Sequence, residues 1–203
     1  MLLCDIGNTS YHFLNENSNY KENVETFNPQ TIKGIVYFIS VNAEVKKKLD
    51  SLENWIDLAA FLDKSSYYKT MGIDRIFAVE ALQNAVVVDA GSAITVDVVK
   101  DGVFMGGFIY PGLKAMSEAY SNISPALDYE FNFELDNKEL PKNSQDAISY
   151  GFLMTFHREV LSYKMPIVLT GGDASKFKKI FHNAKIDDEL IFSGMKKILK
   201  NIK

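Results

Sequence analysis

The chain has 203 residues, of which 47% are apolar, 12% aromatic and 24% charged, a composition that supports a sizeable core and excludes disorder as the main state. Its 22 Lys and Arg are outnumbered by 26 Asp and Glu, for a net charge of −4. There is no global basic field of the kind that holds a phosphate backbone, and no nucleic-acid partner is expected. No apolar run reaches the roughly 20 residues that cross a bilayer, and the opening residues show no basic stretch ahead of a long apolar segment, so a cytoplasmic protein without a membrane partner is expected.

Taken in chain order, Met1 to Ile6 and Tyr11 to Leu14 read as two strands around a turn at Gly7 and Asn8. The lone Cys4, inside the first apolar run, reads as a small core residue rather than a nucleophile. Residues 15–30 are polar and rich in Asn. Gly34 to Ser40 predicts another strand, and Asn42 caps a helix through Leu49 whose Lys46 to Lys48 run is its solvated face. Ile76, Phe77, Val79, Ala81 and Leu82 recur at helical spacing behind Asp74 and Arg75. Ala85 to Val88, Ile94 to Val99 and Val103 to Ile109, the last two joined by an Asp101-Gly102 turn, predict three antiparallel strands. Residues 124–143 look like a mobile excursion, Ser144 to Tyr163 like a helix, and Pro166 to Thr170 like a short buried strand ahead of a Lys-rich helix. Phe192 to Ile202 predicts a last amphipathic helix with Lys on its solvated face.

One local device occurs twice. DIGNTS at 5–10 and DAGSAIT at 89–95 both follow an apolar strand and lead into another. An Asp at the strand end can reach a cation, Gly lets the backbone approach a phosphate, and hydroxyl or amide groups donate to phosphate oxygens. A single copy is an ordinary β-hairpin turn; the pair points to two turns facing one nucleotide. Neither turn has the form of a P-loop or of the dinucleotide fingerprint, which open helices rather than strands. TGGD at 170–173 adds a third turn, where Gly171 and Gly172 can pass the flat face of an adenine or ribose, although a strand-to-helix turn alone would look the same. His12, His157 and His182 show no metal-ligand spacing and read as structural or exposed.

With these turns the sequence resembles the superfamily of acetate and sugar kinases, Hsp70 and actin. DIGNTS, GIDR at 72–75, DAGSAIT, GGFIYPG at 106–112 and TGGD, in that order, resemble type III pantothenate kinase. GIDR with GGFIYPG is the specific part. The segment before GIDR is shorter than usual for that family, and Ser92 and Ser144 stand where its pattern commonly has Thr.

The resemblance implies an α/β, two-lobed actin-like, ribonuclease H-like fold, with duplicated mixed sheets in lobes 1–84 and 85–203 and a nucleotide cleft. It implies transfer of the γ-phosphoryl group of ATP to pantothenate, the first step of coenzyme A synthesis. Asp74 would be the proton acceptor, although an Asp there also suits a helix start, and Arg75 would read the substrate carboxylate. Tyr68, or Tyr67 if the short loop slips by one, would contact pantothenate together with Gly72, Ile73 and Ser144. ATP would meet Ile6, Gly7, Asn8, Thr9, Ser10, Tyr11 and His12 on one side, and Ser92, Thr95, Gly171 and Gly172 on the other. Asp5 would hold Mg²⁺ through water, and Asp89 a monovalent cation, K⁺ or NH₄⁺. A homodimer is expected, since Phe108, Tyr110, Met116, Tyr120, Phe152, Met154 and Phe156 exceed what one small lobe readily buries, unless they complete its own core. The same fold in a nucleotide-responsive regulator, or a kinase for another small hydroxy acid, is the alternative reading.

Overall fold

The computed structural model describes residues 1–135 and 139–202. They form two compact units, Met1–Leu82 with the segment from Glu189 onward, and Gln83–Asp188.

In the first unit β1 (Leu2–Ile6) and β2 (Ser10–Leu14) form the expected hairpin, and β3 (Asn19–Asn23) continues it as a meander. β4 (Val36–Ser40) lies parallel to β1, and β5 (Trp55–Asp57) parallel to β4, giving the order β3-β2-β1-β4-β5. Asn42 caps α1 (Ala43–Leu49) by accepting from the Glu44 and Val45 N–H groups. The strand period of two sends alternate side chains to opposite faces, and both faces are buried. On one face Tyr11, Phe13, Phe38 and Trp55 pack with Val45 and Leu49 of α1. On the other, Leu3, Leu14 and Ile39 meet α2 (Ile73–Glu80) through Phe77, and α7 (Leu190–Ile202) through Phe192, Met195, Ile198 and Leu199. Among these, Leu3, Tyr11, Phe13, Phe38, Ile39, Phe77 and Phe192 are fully buried, and burial of an apolar side chain of this size is worth about 1.5–3 kcal/mol. The last helix therefore belongs to the first unit, not to a second lobe running from 85 to 203.

The second unit repeats the plan. β6 (Ala85–Ala90), β7 (Ala93–Lys100) and β8 (Val103–Pro111) form an antiparallel meander. β9 (Ile167–Thr170) lies parallel to β6, and β10 (Lys185–Ile186) parallel to β9, in the order β10-β9-β6-β7-β8. The two D-x-G turns thus close the same hairpin of two like sheets. α3 (Leu113–Ile123) follows β8. The expected single helix from Ser144 is instead α4 (Ser144–Ser149), a π turn over Tyr150–Met154, and α5 (Thr155–Ser162). The Lys-rich helix after TGGD is one turn, α6 (Ala174–Phe177).

Three expectations are corrected by packing. β3 is exposed along its whole length, so no alternation marks it within the polar 15–30 stretch. Around residue 130, Asn132 receives support from Ser149 and Asp146 (2.9 and 2.8 Å), and Phe133 stacks edge-on against Phe177. That part of the expected excursion is fixed to the unit, while residues 136–138 lie outside the described ones. Phe152, Met154 and Phe156 are buried in the second unit's own core, with Phe108, Tyr110 and Met116 against it, and Tyr120 meets Phe131. These side chains do not require a second chain.

Candidate active site

The first turn is closed by Gly7 N–H donating to the Ser10 carbonyl at 3.0 Å, while Val24 N–H donates to Thr9 and Val41 N–H to Ile6. Asp5 is half-buried at the end of β1, opposite His12 in register. Asn8 and Thr9 are exposed, and Ser10 is partly so. Ile6 and Tyr11 are buried, so only their backbone groups can meet a ligand. His12 is held in the unit, its Nε2 2.7 Å from Asn19 Oδ1 and its ring edge-on to Phe192. Cys4 is buried, and burial pushes its thiol far above the usual range, which leaves it inert.

The second and third turns are one packed assembly. Asp89 lies directly opposite Thr95 in β7 and beside Thr170 in β9. Gly171 adopts φ +87°, and a β-carbon there would collide with Asp89 Oδ1 and the Ala90 carbonyl. Asp173 N–H donates to that same carbonyl at 2.9 Å. From the other side Gly112 N–H donates to the Ser92 carbonyl at 3.1 Å, and a β-carbon on Gly112 would strike the Gly91 and Ser92 carbonyls. Gly112 and Gly171 are therefore required by packing around residues 89–92, whereas Gly172 faces open space. Ser92 is exposed. Thr95 Oγ1 is buried without a hydrogen-bond partner among the described residues, an arrangement that costs about 1–3 kcal/mol unless a ligand completes it.

GIDR opens α2. Gly72 is its N-cap and supplies no side-chain cap. The Asp74 carboxylate takes that role by folding back over Gly72, where a β-carbon would obstruct it, and it accepts the Arg75 N–H at 2.8 Å. Arg75 is buried, and its guanidinium donates to the Tyr68 hydroxyl at 2.6 Å while lying 5.8 Å from the centre of that ring. Tyr67 points elsewhere. Its hydroxyl donates to Glu80 Oε1 at 2.7 Å, and burial followed by that bond pushes the phenol well above its usual range. Between the two lies a cavity of about 410 Å³ with an apolar floor of Met71, Ile73 and Ile76 and a polar rim that includes Lys64 and Lys69. Ser144 is exposed at the first position of α4, behind the Asn143 cap.

The sequence profile described as type III pantothenate kinase matches residues 58–164. A type III pantothenate kinase of Sulfurimonas denitrificans is 62% identical over 200 residues, covering 98% of each chain. The chain belongs to the type III pantothenate kinase family. Among solved structures, a Campylobacter jejuni protein named a Baf family transcriptional activator superposes with a TM-score of 0.89 at 36% identity, covering 100% of this chain and 98% of that one. A protein of Sinorhizobium meliloti described as a 2-dehydro-3-deoxygalactonokinase reaches 0.55 at 11% identity, over 99% and 96% of the two chains. At that distance the likeness concerns the fold alone, which is the duplicated α/β actin-like one. The profile of the pantothenate kinase family covers GIDR, DAGSAIT, GGFIYPG and Ser144, and the full-length relative extends the match across both remaining turns.

Sequence reading missed Glu80 and Lys197. Lys197 Nζ donates to the Glu80 carbonyl at 2.7 Å and lies 3.1 Å from Glu80 Oε2, so this lysine is not part of a merely solvated face. No local pattern links residues 117 positions apart. Gly194 also carries a packing requirement, since a β-carbon there would strike the Phe77 carbonyl where α7 crosses α2.

Proposed function

We propose that the chain transfers the γ-phosphoryl group of ATP to the primary hydroxyl of pantothenate, the first step of coenzyme A biosynthesis. The observation that carries this reading is the start of α2, where the Asp74 carboxylate folds back over Gly72 and the buried Arg75 guanidinium donates to Tyr68, in a chain of this family. A guanidinium offers a planar fork of donors to a carboxylate, while the adjacent carboxylate addresses a hydroxyl. Asp74 already accepts a backbone N–H, which fixes its carboxylate at the helix start. Positioning is what the reaction needs, because phosphoryl transfer proceeds through a loose transition state that relies on alignment and charge neutralisation. Asp74 orients the substrate oxygen and takes its proton late.

In the first turn Asn8, Thr9 and the backbone offer donors to phosphate oxygens, and in the second turn the exposed Ser92 hydroxyl offers another. Asp5, a half-buried carboxylate beside an exposed turn, fits Mg²⁺ held through water, and the ion supplies charge neutralisation on the phosphates. The buried Thr95 Oγ1 opposite Asp89 fits an oxygen-lined place for a monovalent cation or a phosphate oxygen. No helix among the described residues is long and apolar enough to cross a membrane; a cytoplasmic homodimer without nucleic-acid partners is part of the proposal.

The test is a phosphorylation screen of small hydroxy acids by mass spectrometry at fixed Mg²⁺ and K⁺. Phosphopantothenate as the dominant product is expected. ATP turnover indifferent to pantothenate would favour a regulator, and preference for another acid would replace the substrate.

A further inference from the structure

Tyr67 and Tyr68 are neighbours in the loop before α2, yet they bond to opposite ends of that helix. Tyr68 accepts from Arg75 in the first turn, and Tyr67 donates to Glu80 at the last residue. At about 1.5 Å per residue these two points lie roughly 7–8 Å apart along the axis, so the tyrosine pair stakes the loop lengthwise against the helix. The loop also closes on itself through Tyr67 N–H to the Lys64 carbonyl and Met71 N–H to the Tyr68 carbonyl, at 3.1 and 3.0 Å. Glu80 is in turn gripped by Lys197, which bonds both its carboxylate and its backbone carbonyl. A cation at that carbonyl completes the C-terminal end of α2. One turn earlier on α7, Gly194 brings the two helix backbones into contact at Phe77.

We propose that Lys197, Glu80 and Tyr67 form a positioning relay by which the last helix sets the Tyr68–Arg75 pair, and with it the affinity for the substrate carboxylate. None of the three touches the reacting atoms. Their role is to remove loop and side-chain freedom before the substrate arrives, so their loss is felt in substrate binding rather than in chemistry. The inference rests on the reading of Arg75 as the carboxylate ligand.

The test uses the full-length enzyme with Tyr67→Phe, which keeps the ring and deletes the hydroxyl, and Lys197→Met, with Arg75→Ala as the reference. Pantothenate binding by calorimetry and both KM values are measured, together with thermal midpoints. Tyr67→Phe is expected to raise the pantothenate KM and dissociation constant about five- to tenfold, with the ATP KM and kcat within about twofold. Lys197→Met should act in the same direction, and the double variant should fall short of the product of the two effects, as members of one network do. Lys197→Arg should restore binding. If Arg75→Ala weakens pantothenate binding while Tyr67→Phe does not, the relay is refuted and the Arg75 reading stands. If neither variant weakens it, both fall. Equal rises in the two KM values, tracking a lowered thermal midpoint, would reduce the trio to a structural contact and also overturn the proposal.

Discussion

Asp74 and Arg75 are consecutive, but a helix turns about 100° per residue and so separates their side chains. Asp74 lies back over Gly72, and Arg75 is buried beneath Tyr68. Their substitution should therefore fail in different ways. Asp74→Asn keeps the shape and the capping oxygen while removing the charge, so the fold and ATP KM should persist as kcat drops, on the order of a hundredfold; near-normal turnover would take Asp74 out of the mechanism. Arg75→Ala should raise the pantothenate KM far more than that of an analogue lacking the carboxylate, since a hydrogen bond to a charged group is worth about 1.5–3 kcal/mol, roughly 10- to 150-fold. Equal losses on both substrates would sink the carboxylate assignment. The roles proposed for them come from the family resemblance, while their place in the first turn of α2 was legible in the sequence because apolar residues recur at helical spacing directly behind them. The direction of each tyrosine was not, because it depends on Glu80 at the far end of α2 and on Lys197 in another element.

The elements show the same division between local and distant signals. β6, β7 and β8 were readable from β-branched runs and an Asp-Gly turn, since sheet strands with buried faces carry a periodic pattern. β3 carries none, and β5 is too short to show one. The glycines of the three turns look alike in sequence and differ in structure. Gly171 holds a left-handed φ and packs on Asp89, whereas Gly172 meets nothing. Gly171→Ala should destabilise the second unit by about 1–3 kcal/mol or more through strain and collision. Gly172→Ala should leave the thermal midpoint close to that of the parent, and if a nucleotide passes this turn it should raise the ATP KM alone. Thermal melts beside ATP titrations would separate the two, and a silent Gly172→Ala would remove this turn from nucleotide contact. On α5, burial lowers the His157 pKa, the Ile180 backbone opposes that shift, and His182 and Arg158 add to it. The folded state thus binds its proton less readily than the unfolded chain. Its contribution is fully present above the unfolded value of about 6.5 and declines as pH falls through that value toward the lower folded one. His157→Gln should lessen the fall in urea midpoint between pH 7.5 and 5.5; an unchanged fall would place the pH dependence elsewhere.

At the scale of the whole molecule, the dimer expectation stands on different ground from the side chains that first suggested it. The aromatic excess of the second unit is largely taken up by that unit's own core, so it no longer asks for a partner. What the second unit does leave exposed is a row on β8, with Val103, Met105 and Ile109 each more than half accessible at alternate positions of an edge strand. An edge strand with an apolar row is the kind of surface that proteins otherwise cover or charge. A two-fold contact is the commonest closed assembly, and a second copy of the chain presents the same row. Light scattering at assay concentration should give twice the 22.9 kDa chain mass, and Met105→Glu should shift it toward the monomer. A single-chain mass for the unmodified protein would end the dimer. Whether the dimer also shares its substrate pockets is a separate matter, tested by mixing two inactive proteins. Asp74→Asn chains lack the proposed proton acceptor, while Ser144→Phe chains carry a bulky ring at the exposed first position of α4. If α4 of one chain completes the pocket at GIDR of its partner, a hybrid dimer contains one intact pocket and one doubly damaged, so mixing should restore up to about a quarter of the parent activity at random exchange. A stable dimer with no recovery after verified subunit exchange would confine each pocket to a single chain.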